Sequence, residues 1–170
     1  MGRLEEELVK GLLDTSAHYK RDVMEGTIRR LLGAVPFTDV TGLPARRGAA
    51  DGGIDGIIDK FHSRAAQEFQ QTALNVKVRK SGFTREQLGG FLLDMDREGI
   101  KVGLIITAGC LAPDAVVEFD RKNREGFVIL YHIRLPDLLS GELQNMDLFV
   151  DGIHIRDVLN SKLREILEQP

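Results

Sequence analysis

The feature that most constrains the fold is a short apolar run, GLIIT, at residues 103–107, which lies between two predicted helices. An apolar run of this length is typical of a strand buried on both faces, in a sheet that helices cover on both sides. The helix before it begins at Thr84, where Gln87 completes a capping-box pattern, and ends near Gly99. The helix after it begins at Pro113. We therefore predict an α/β fold, with a mixed β-sheet core flanked by helices on both faces.

The rest of the chain continues this alternation of helices and strands. The pattern predicts helices over residues 4–13, 21–32, 135–139 and 157–168, and strands over residues 36–41, 54–61, 73–79 and 126–131. A length of 170 residues is enough for one domain with a substantial core.

Cysteine content and hydropathy restrict the kind of protein further. Cys110 is the only cysteine, which excludes an internal disulfide and a cysteine-based zinc cage. No apolar run approaches the roughly 20 residues needed to span a bilayer. The opening residues, MGRLEEELVK, do not have the pattern of a secretory signal. We therefore expect a cytoplasmic protein without a membrane partner.

Charge is distributed unevenly along the chain. The formal net charge is −3, which by itself argues against a protein that neutralises many phosphates with Lys and Arg. Locally, however, residues 76–85 contain four basic side chains and no acid, and a loop flanked by proline and glycine contains two more. Composition alone favours ordinary solvated charges at these positions over a phosphate-binding surface. The six residues are Lys77, Arg79, Lys80, Arg85, Arg46 and Arg47.

The predicted strand at residues 73–79 places three polar side chains on one face. Side chains two positions apart in a strand share a face, so Asn75, Lys77 and Arg79 lie together, opposite an apolar face. The preceding strand carries Asp55. Antiparallel pairing of the two strands would bring Asp55 beside Asn75 and Lys77.

Such a group of side chains suits the hydrolysis of phosphodiester bonds. A metal ion held by carboxylate and carbonyl oxygens polarises the phosphate and acidifies a bound water. Magnesium fits this role because it takes one or two carboxylates and keeps several waters. A neighbouring lysine can orient or deprotonate the attacking water, or stabilise the charge that develops. Each residue alone has a simpler interpretation, since an Asp after two glycines often marks a turn and a strand lysine is usually solvated.

The order of the motifs resembles that of a known family. The segment DGGIDGII at residues 51–58 is similar to the D-G-G-I-D segment of Mrr-type restriction endonucleases, which belong to the PD-(D/E)xK superfamily. In that family an apolar strand with (Q/E)-x-K follows, then a helix, a strand ending in I-T-(T/S), and another helix. Here Asn75-Val76-Lys77 and Ile105-Ile106-Thr107 stand at the corresponding places. The resemblance covers about residues 20–140 and implies a restriction-endonuclease-like fold.

The resemblance also implies roles for individual residues. The second Asp of the family segment binds the catalytic metal, which corresponds to Asp55. Lys77 corresponds to the motif lysine. The family helix before the segment often carries a metal-binding Glu, and Glu25 stands at that place, although a solvated helix glutamate is an equal alternative. Gln87 lies where related enzymes often have a polar residue near the site, and its simpler interpretation is the capping box.

Asn75 is a departure from the family pattern, which has Glu or Gln at this position. A glutamine-bearing site already uses a neutral carbonyl ligand, but Asn is one methylene shorter, and metal coordination is sensitive to such distances. Asn75 then binds the metal through a water, or Glu25 supplies the missing charge, or the site is weakened or inactive.

We therefore predict a metal-dependent endodeoxyribonuclease, with DNA as its partner and without an organic cofactor. Asp55, Asn75 and Glu25 would hold Mg²⁺, for which Mn²⁺ can substitute, and Lys77 would act on the water or the transition state. The DNA contacts would come from Arg46, Arg47, Arg79, Lys80 and Gln87. The alternative is a catalytically weakened or inactive nuclease-fold module that binds DNA or a protein partner. The sequence contains no recognition domain of an obvious type, so it names no DNA sequence or methylation requirement.

The predicted organisation has three parts. A helical extension over residues 1–19 precedes an Mrr-like nuclease domain over residues 20–140, and a second helical extension covers residues 141–170. The apolar face of this last segment would pack on the domain or on a second copy of the chain. Because nucleases of this superfamily often pair to cut both strands, a homodimer is the corresponding hypothesis, and light scattering tests it.

Overall fold

The computed structural model describes residues 6, 10, 18–36, 54–63, 68–78, 82–140 and 148–158. The side chains of residues 18–24, 36 and 138–140 are not described. Most of the predicted helices at residues 4–13 and 157–168, and most of the predicted strand at residues 36–41, lie outside the described residues.

The described elements form one mixed sheet. Its strands are β1 (Val35–Pro36), β2 (Gly56–Ser63), β3 (Gln70–Lys77), β4 (Val102–Thr107), β5 (Ile129–Arg134), β6 (Leu148–Val150) and β7 (Ile153–His154). The order is β5-β4-β3-β2-β6-β7, and β1 pairs with β2. The strands β3, β4 and β5 are parallel to one another, whereas β2 is antiparallel to its neighbours β1, β3 and β6. The carboxyl ends of β3, β4 and β5 therefore lie at one edge, where ligands of open α/β sheets usually bind.

Helices cover both faces of this sheet, as predicted. They are α1 (His18–Leu31), α2 (Arg85–Glu98), α3 (Pro113–Glu125) and the short α4 (Leu135–Ser140). On one face, Ile28 of α1 and Leu32, the residue after this helix, pack against strand residues that include Leu74, Val76 and Val78. On the other face, α2 and α3 pack against a second cluster of buried residues, which includes Leu88, Phe91, Ala115, Ala73 and Ile105. None of the described helices is long and apolar enough to span a membrane.

The contact between α2 and β4 depends on Gly103. A Cβ atom at this position would lie 2.8 Å from a ring carbon of Phe91 and 2.9 Å from Leu130 Cδ2. A side chain at this position would therefore force the neighbouring side chains to move apart. The ends of α2 are set by the predicted signals, because Thr84 and Gln87 form both bonds of a capping box and Gly99 takes a left-handed conformation.

The exposed edge of the sheet at β5 is closed by a side chain. Asn123 of α3 donates from Nδ2 to the Leu130 carbonyl (3.1 Å) and accepts at Oδ1 from the Leu130 N–H (2.8 Å). The amide thus occupies the backbone groups that an added strand would use, which protects the edge from pairing with another chain.

Two strands lie in the segment that the sequence pattern assigned to a helical extension. β6 and β7 extend the sheet beyond β2, and a two-residue turn joins them, with positive φ at Asp151 (53°) and Gly152 (80°). Consecutive positive φ values are typical of a type I′ hairpin, for which Asp-Gly is a preferred sequence. The Asp-Gly dipeptide, which follows the apolar run Leu148–Val150 and precedes Ile153, was the signal that could have predicted this hairpin.

Candidate active site

The carboxylate of Asp55 is fastened to the neighbouring strand. The Asp55 N–H donates to the Leu74 carbonyl (2.8 Å), and Oδ2 accepts from the Val76 N–H (2.8 Å). These two bonds reach β3 on either side of Asn75. Because backbone and side chain are both anchored, the half-buried carboxylate is held next to the strand that carries Asn75 and Lys77.

Asn75 and Lys77 lie on the face of β3 that α2 and α3 cover. They alternate with Leu74, Val76 and Val78, which belong to the core under α1 on the opposite face. Asn75 is fully buried, whereas Lys77 is half-buried at the last position of the strand. The predicted alternation is therefore confirmed for these residues. β2 also pairs antiparallel with β3, which is the pairing that was expected to bring Asp55 beside Asn75 and Lys77.

Glu25, which lies on α1, also binds at the end of β3. Its Oε1 accepts from the Val78 N–H (3.0 Å), one residue beyond Lys77. Asp55 and Glu25 therefore bind two backbone N–H groups of one strand that are two residues, or roughly 7 Å, apart. Both carboxylates lie along the stretch of β3 that includes Lys77.

A second polar group adjoins Lys77, and no pattern in the sequence indicates its role. In the sheet register Lys77 pairs with Thr107 of β4, and Thr107 pairs with Arg134 of β5. Thr107 Oγ1 donates to the Gly109 carbonyl (3.0 Å) and lies 2.8 Å from Nε2 of His132. Arg134 Nε donates to the same carbonyl (3.1 Å).

The protonation of His132 follows from its surroundings. Burial, and to a smaller extent the charge of Arg134, lowers the pKa of His132 to about 4, so the ring is neutral near pH 7. Because the single proton of the Thr107 hydroxyl goes to Gly109, His132 must donate from Nε2. The ring also meets the edge of Phe119 at a centroid distance of 6.5 Å. His132 belongs to no recognisable motif in the sequence. Its proximity to Thr107 is therefore visible only from the register of β4 and β5.

The donor set around Asp55 suits a hard divalent cation. Carboxylates and an amide carbonyl are ligands that Mg²⁺ and Mn²⁺ prefer. Within the described ranges, no three His, Cys, Asp or Glu side chains are grouped closely enough to hold a metal by themselves. Magnesium commonly uses one or two carboxylates and keeps its waters. The residues present therefore fit a hydrated magnesium ion at Asp55, with Asn75 as a neutral donor and Glu25 nearby along β3.

The predicted DNA-binding residues are described only in part. Gln87 accepts at Oε1 from the Thr84 N–H (2.8 Å), so its capping role is confirmed and its contact with DNA stays a prediction. The other four residues, Arg46, Arg47, Arg79 and Lys80, lie outside the described residues.

Comparisons with known proteins agree with this architecture. The family model Mrr_cat, described as a restriction endonuclease, matches residues 20–138. The fold is similar to that of a solved structure, the DNA modification-dependent restriction endonuclease AspBHI, with a TM-score of 0.52 and 17% sequence identity. That alignment covers 98% of this chain and 40% of the other, so the chain spans less than half of that protein. No curated protein matches the sequence.

Proposed function

The chain belongs to the Mrr_cat family of restriction endonucleases, and from this premise we propose that it is a metal-dependent endodeoxyribonuclease that hydrolyses phosphodiester bonds of DNA. The observation that carries the proposal is the double anchoring of Asp55 to Leu74 and Val76, around Asn75. A fixed carboxylate can hold a metal ion that polarises the phosphate, and a neighbouring lysine can stabilise the charge that develops.

Each residue would contribute a separate function. Asp55 would hold the cation, and Asn75 would add a neutral oxygen ligand or bind through a water. Glu25 would add negative charge further along β3. The cation would supply Lewis acidity at the phosphate. Lys77 would orient the attacking water or stabilise the charge that develops on the phosphate oxygens.

The proposed DNA-binding residues flank the site residues in the sequence. Arg79 and Lys80 follow Val78, and Arg46 and Arg47 precede Asp55. Side chains of this kind neutralise phosphates without reading sequence. The family and the fold support DNA as the substrate class.

The experiment is cleavage of supercoiled plasmid DNA with Mg²⁺ or Mn²⁺. Wild type should cut, and Asp55→Ala and Lys77→Ala should not. Matched controls are Asp59→Ala and Lys60→Ala, which change exposed residues of β2, the strand that follows Asp55. Cleavage that persists in Asp55→Ala and Lys77→Ala, or that needs no divalent cation, would refute the proposal.

A second candidate function is binding of DNA or a protein partner without cleavage. The observation that favours it is the neutral, fully buried Asn75 at the position where the family motif has Glu or Gln. A non-cleaving module would retain DNA binding, or a partner, without metal-dependent nicking, and Asn75→Glu would create no activity. If Asn75→Glu gained cleavage activity, the natural site would instead be a weakened nuclease site.

A further inference from the structure

Thr107 occupies the position next to Lys77 at the carboxyl ends of the parallel strands. Register partners in adjacent strands project to the same face, with a strand spacing of about 4.8 Å. The same turn also fixes the backbone of the lysine, because the Ala108 N–H donates to the Lys77 carbonyl (3.0 Å). Both the side chain and the main chain after β4 therefore adjoin Lys77.

The hydroxyl of Thr107 is held in one orientation. It donates its only proton to the Gly109 carbonyl and accepts from His132 Nε2–H. A hydroxyl oxygen has two lone pairs, so Oγ1 can accept one more hydrogen bond. Lys77 is the register partner of Thr107 on β3, and its ammonium group has three donors and no acceptor, so one donor can bind Oγ1 in addition to its other contacts.

From this arrangement we infer that Thr107, oriented by His132, is a positioning residue that holds the Lys77 side chain for the reaction. The inference rests on the proposed function and adds two residues to the site. It also gives a reason for a half-buried histidine at this end of β5. His132 fixes the hydroxyl so that its lone pair, and not its proton, faces the lysine.

The first test uses substitutions that differ by one hydroxyl. Thr107→Val should lower kcat for plasmid cleavage by roughly tenfold or more, while KM for DNA changes by less than about twofold. Thr107→Ser should keep kcat within about threefold of wild type, because it keeps the hydroxyl. The matched control is Thr72→Val, which removes another buried hydroxyl of the sheet that donates to a backbone carbonyl, that of Gln70 (3.0 Å). Equal losses in Thr107→Ser and Thr107→Val, or the same loss in Thr72→Val, would overturn the inference.

The second test asks whether His132 acts through Thr107. Thr107→Val leaves a buried donor on His132, so the double variant Thr107→Val/His132→Phe, which removes both partners, guards against a folding defect. If the two residues act as a unit, His132→Phe should lower kcat to a similar extent as Thr107→Val, and the double variant should lose little more than either one. Independent, multiplicative losses would show that His132 does not act through Thr107.

The third measurement does not depend on activity. The ¹³Cε signal of Lys77, assigned by its loss in Lys77→Ala, should shift in Thr107→Val and stay near its wild-type position in Thr107→Ser. If wild type cuts DNA but this signal is the same in Thr107→Val, the positioning inference fails alone. If wild type does not cut, the proposed function fails, and the shift still shows whether Thr107 holds the lysine.

Discussion

The carboxylate of Asp55 accepts a 2.8 Å hydrogen bond from the backbone N–H of Val76, and this bond joins the residue just before β2 to β3 beside Asn75 and Lys77. The bond replaces part of a regular backbone ladder, because the paired register of the two strands begins at Gly56 and Leu74. A single side chain thus holds the strand and presents a carboxylate at the site. The two roles can be separated by substitution.

Asp55→Asn should separate charge from structure. The amide oxygen can still accept from Val76, so the free energy of unfolding should change by less than about 1 kcal/mol, while cleavage falls by roughly a hundredfold or more. Asp55→Ala should lose the same activity and, in addition, about 1–3 kcal/mol of stability, because it leaves the Val76 N–H without its partner. Urea unfolding and plasmid nicking measure the two effects. Asp59→Asn, on β2, serves as the control, and cleavage by Asp55→Asn within threefold of wild type would contradict the prediction.

At Glu25, the second carboxylate, the charge and the structural role can be separated in the same way. Its Oε1 joins α1 to Val78 at the end of β3. Glu25→Gln keeps an acceptor and should leave the unfolding free energy nearly unchanged, whereas Glu25→Ala should cost about 1–2 kcal/mol. If the charge also supports the cation, Glu25→Gln should raise the Mg²⁺ concentration that gives half-maximal cleavage. An unchanged magnesium requirement would limit Glu25 to linking the helix to the strand.

Asn75→Asp should make stability depend on divalent cations. A second buried carboxylate close to Asp55 is repelled by it, so the variant should melt below wild type when EDTA is present. Mn²⁺ or Mg²⁺ should then raise its melting temperature more than that of wild type, by about 3 °C for each kcal/mol of binding free energy. Differential scanning fluorimetry with a metal titration measures this. Equal metal responses in the two proteins would argue against a cation at Asn75.

The sequence predicted the parts of this site that depend on strand periodicity and motif order. Asn75 and Lys77 alternate with apolar residues, so their shared face could be predicted from residues 73–79 alone. The Thr84 capping box and the Gly99 helix end are equally local, and the structure contains both. Their information lies within a few consecutive residues, which is why the sequence was sufficient.

The parts that were not predicted depend on contacts between distant residues. Thr107 meets His132 only because β4 and β5 are parallel with Ile105 beside His132, and no spacing in the sequence gives this register. The bond from Glu25 to Val78 likewise joins residues 53 positions apart. In β5, the sequence placed the start at Gly126, whereas the strand begins at Ile129, because α3 continues to Glu125 and Gly126 ends it with φ 79°.

His132 predicts a specific dependence of stability on pH. Its folded-state pKa of about 4 lies below the usual 6.5, so the unfolded chain takes up the proton first as the pH falls. The stability that the folded protein gains from keeping His132 neutral is therefore complete above about pH 6.5. It is lost progressively as the pH falls towards 4, by roughly 2–3 kcal/mol in total.

The variant His132→Gln tests this dependence, because it keeps a donor for Thr107 but cannot take up a proton in this range. The difference in unfolding free energy between wild type and His132→Gln should therefore shrink, or move in favour of the variant, between pH 7.5 and pH 5. Urea denaturation at the two pH values measures it, and the carboxylates common to both proteins cancel in the comparison. A difference that does not change with pH would mean that His132 is not held neutral by burial.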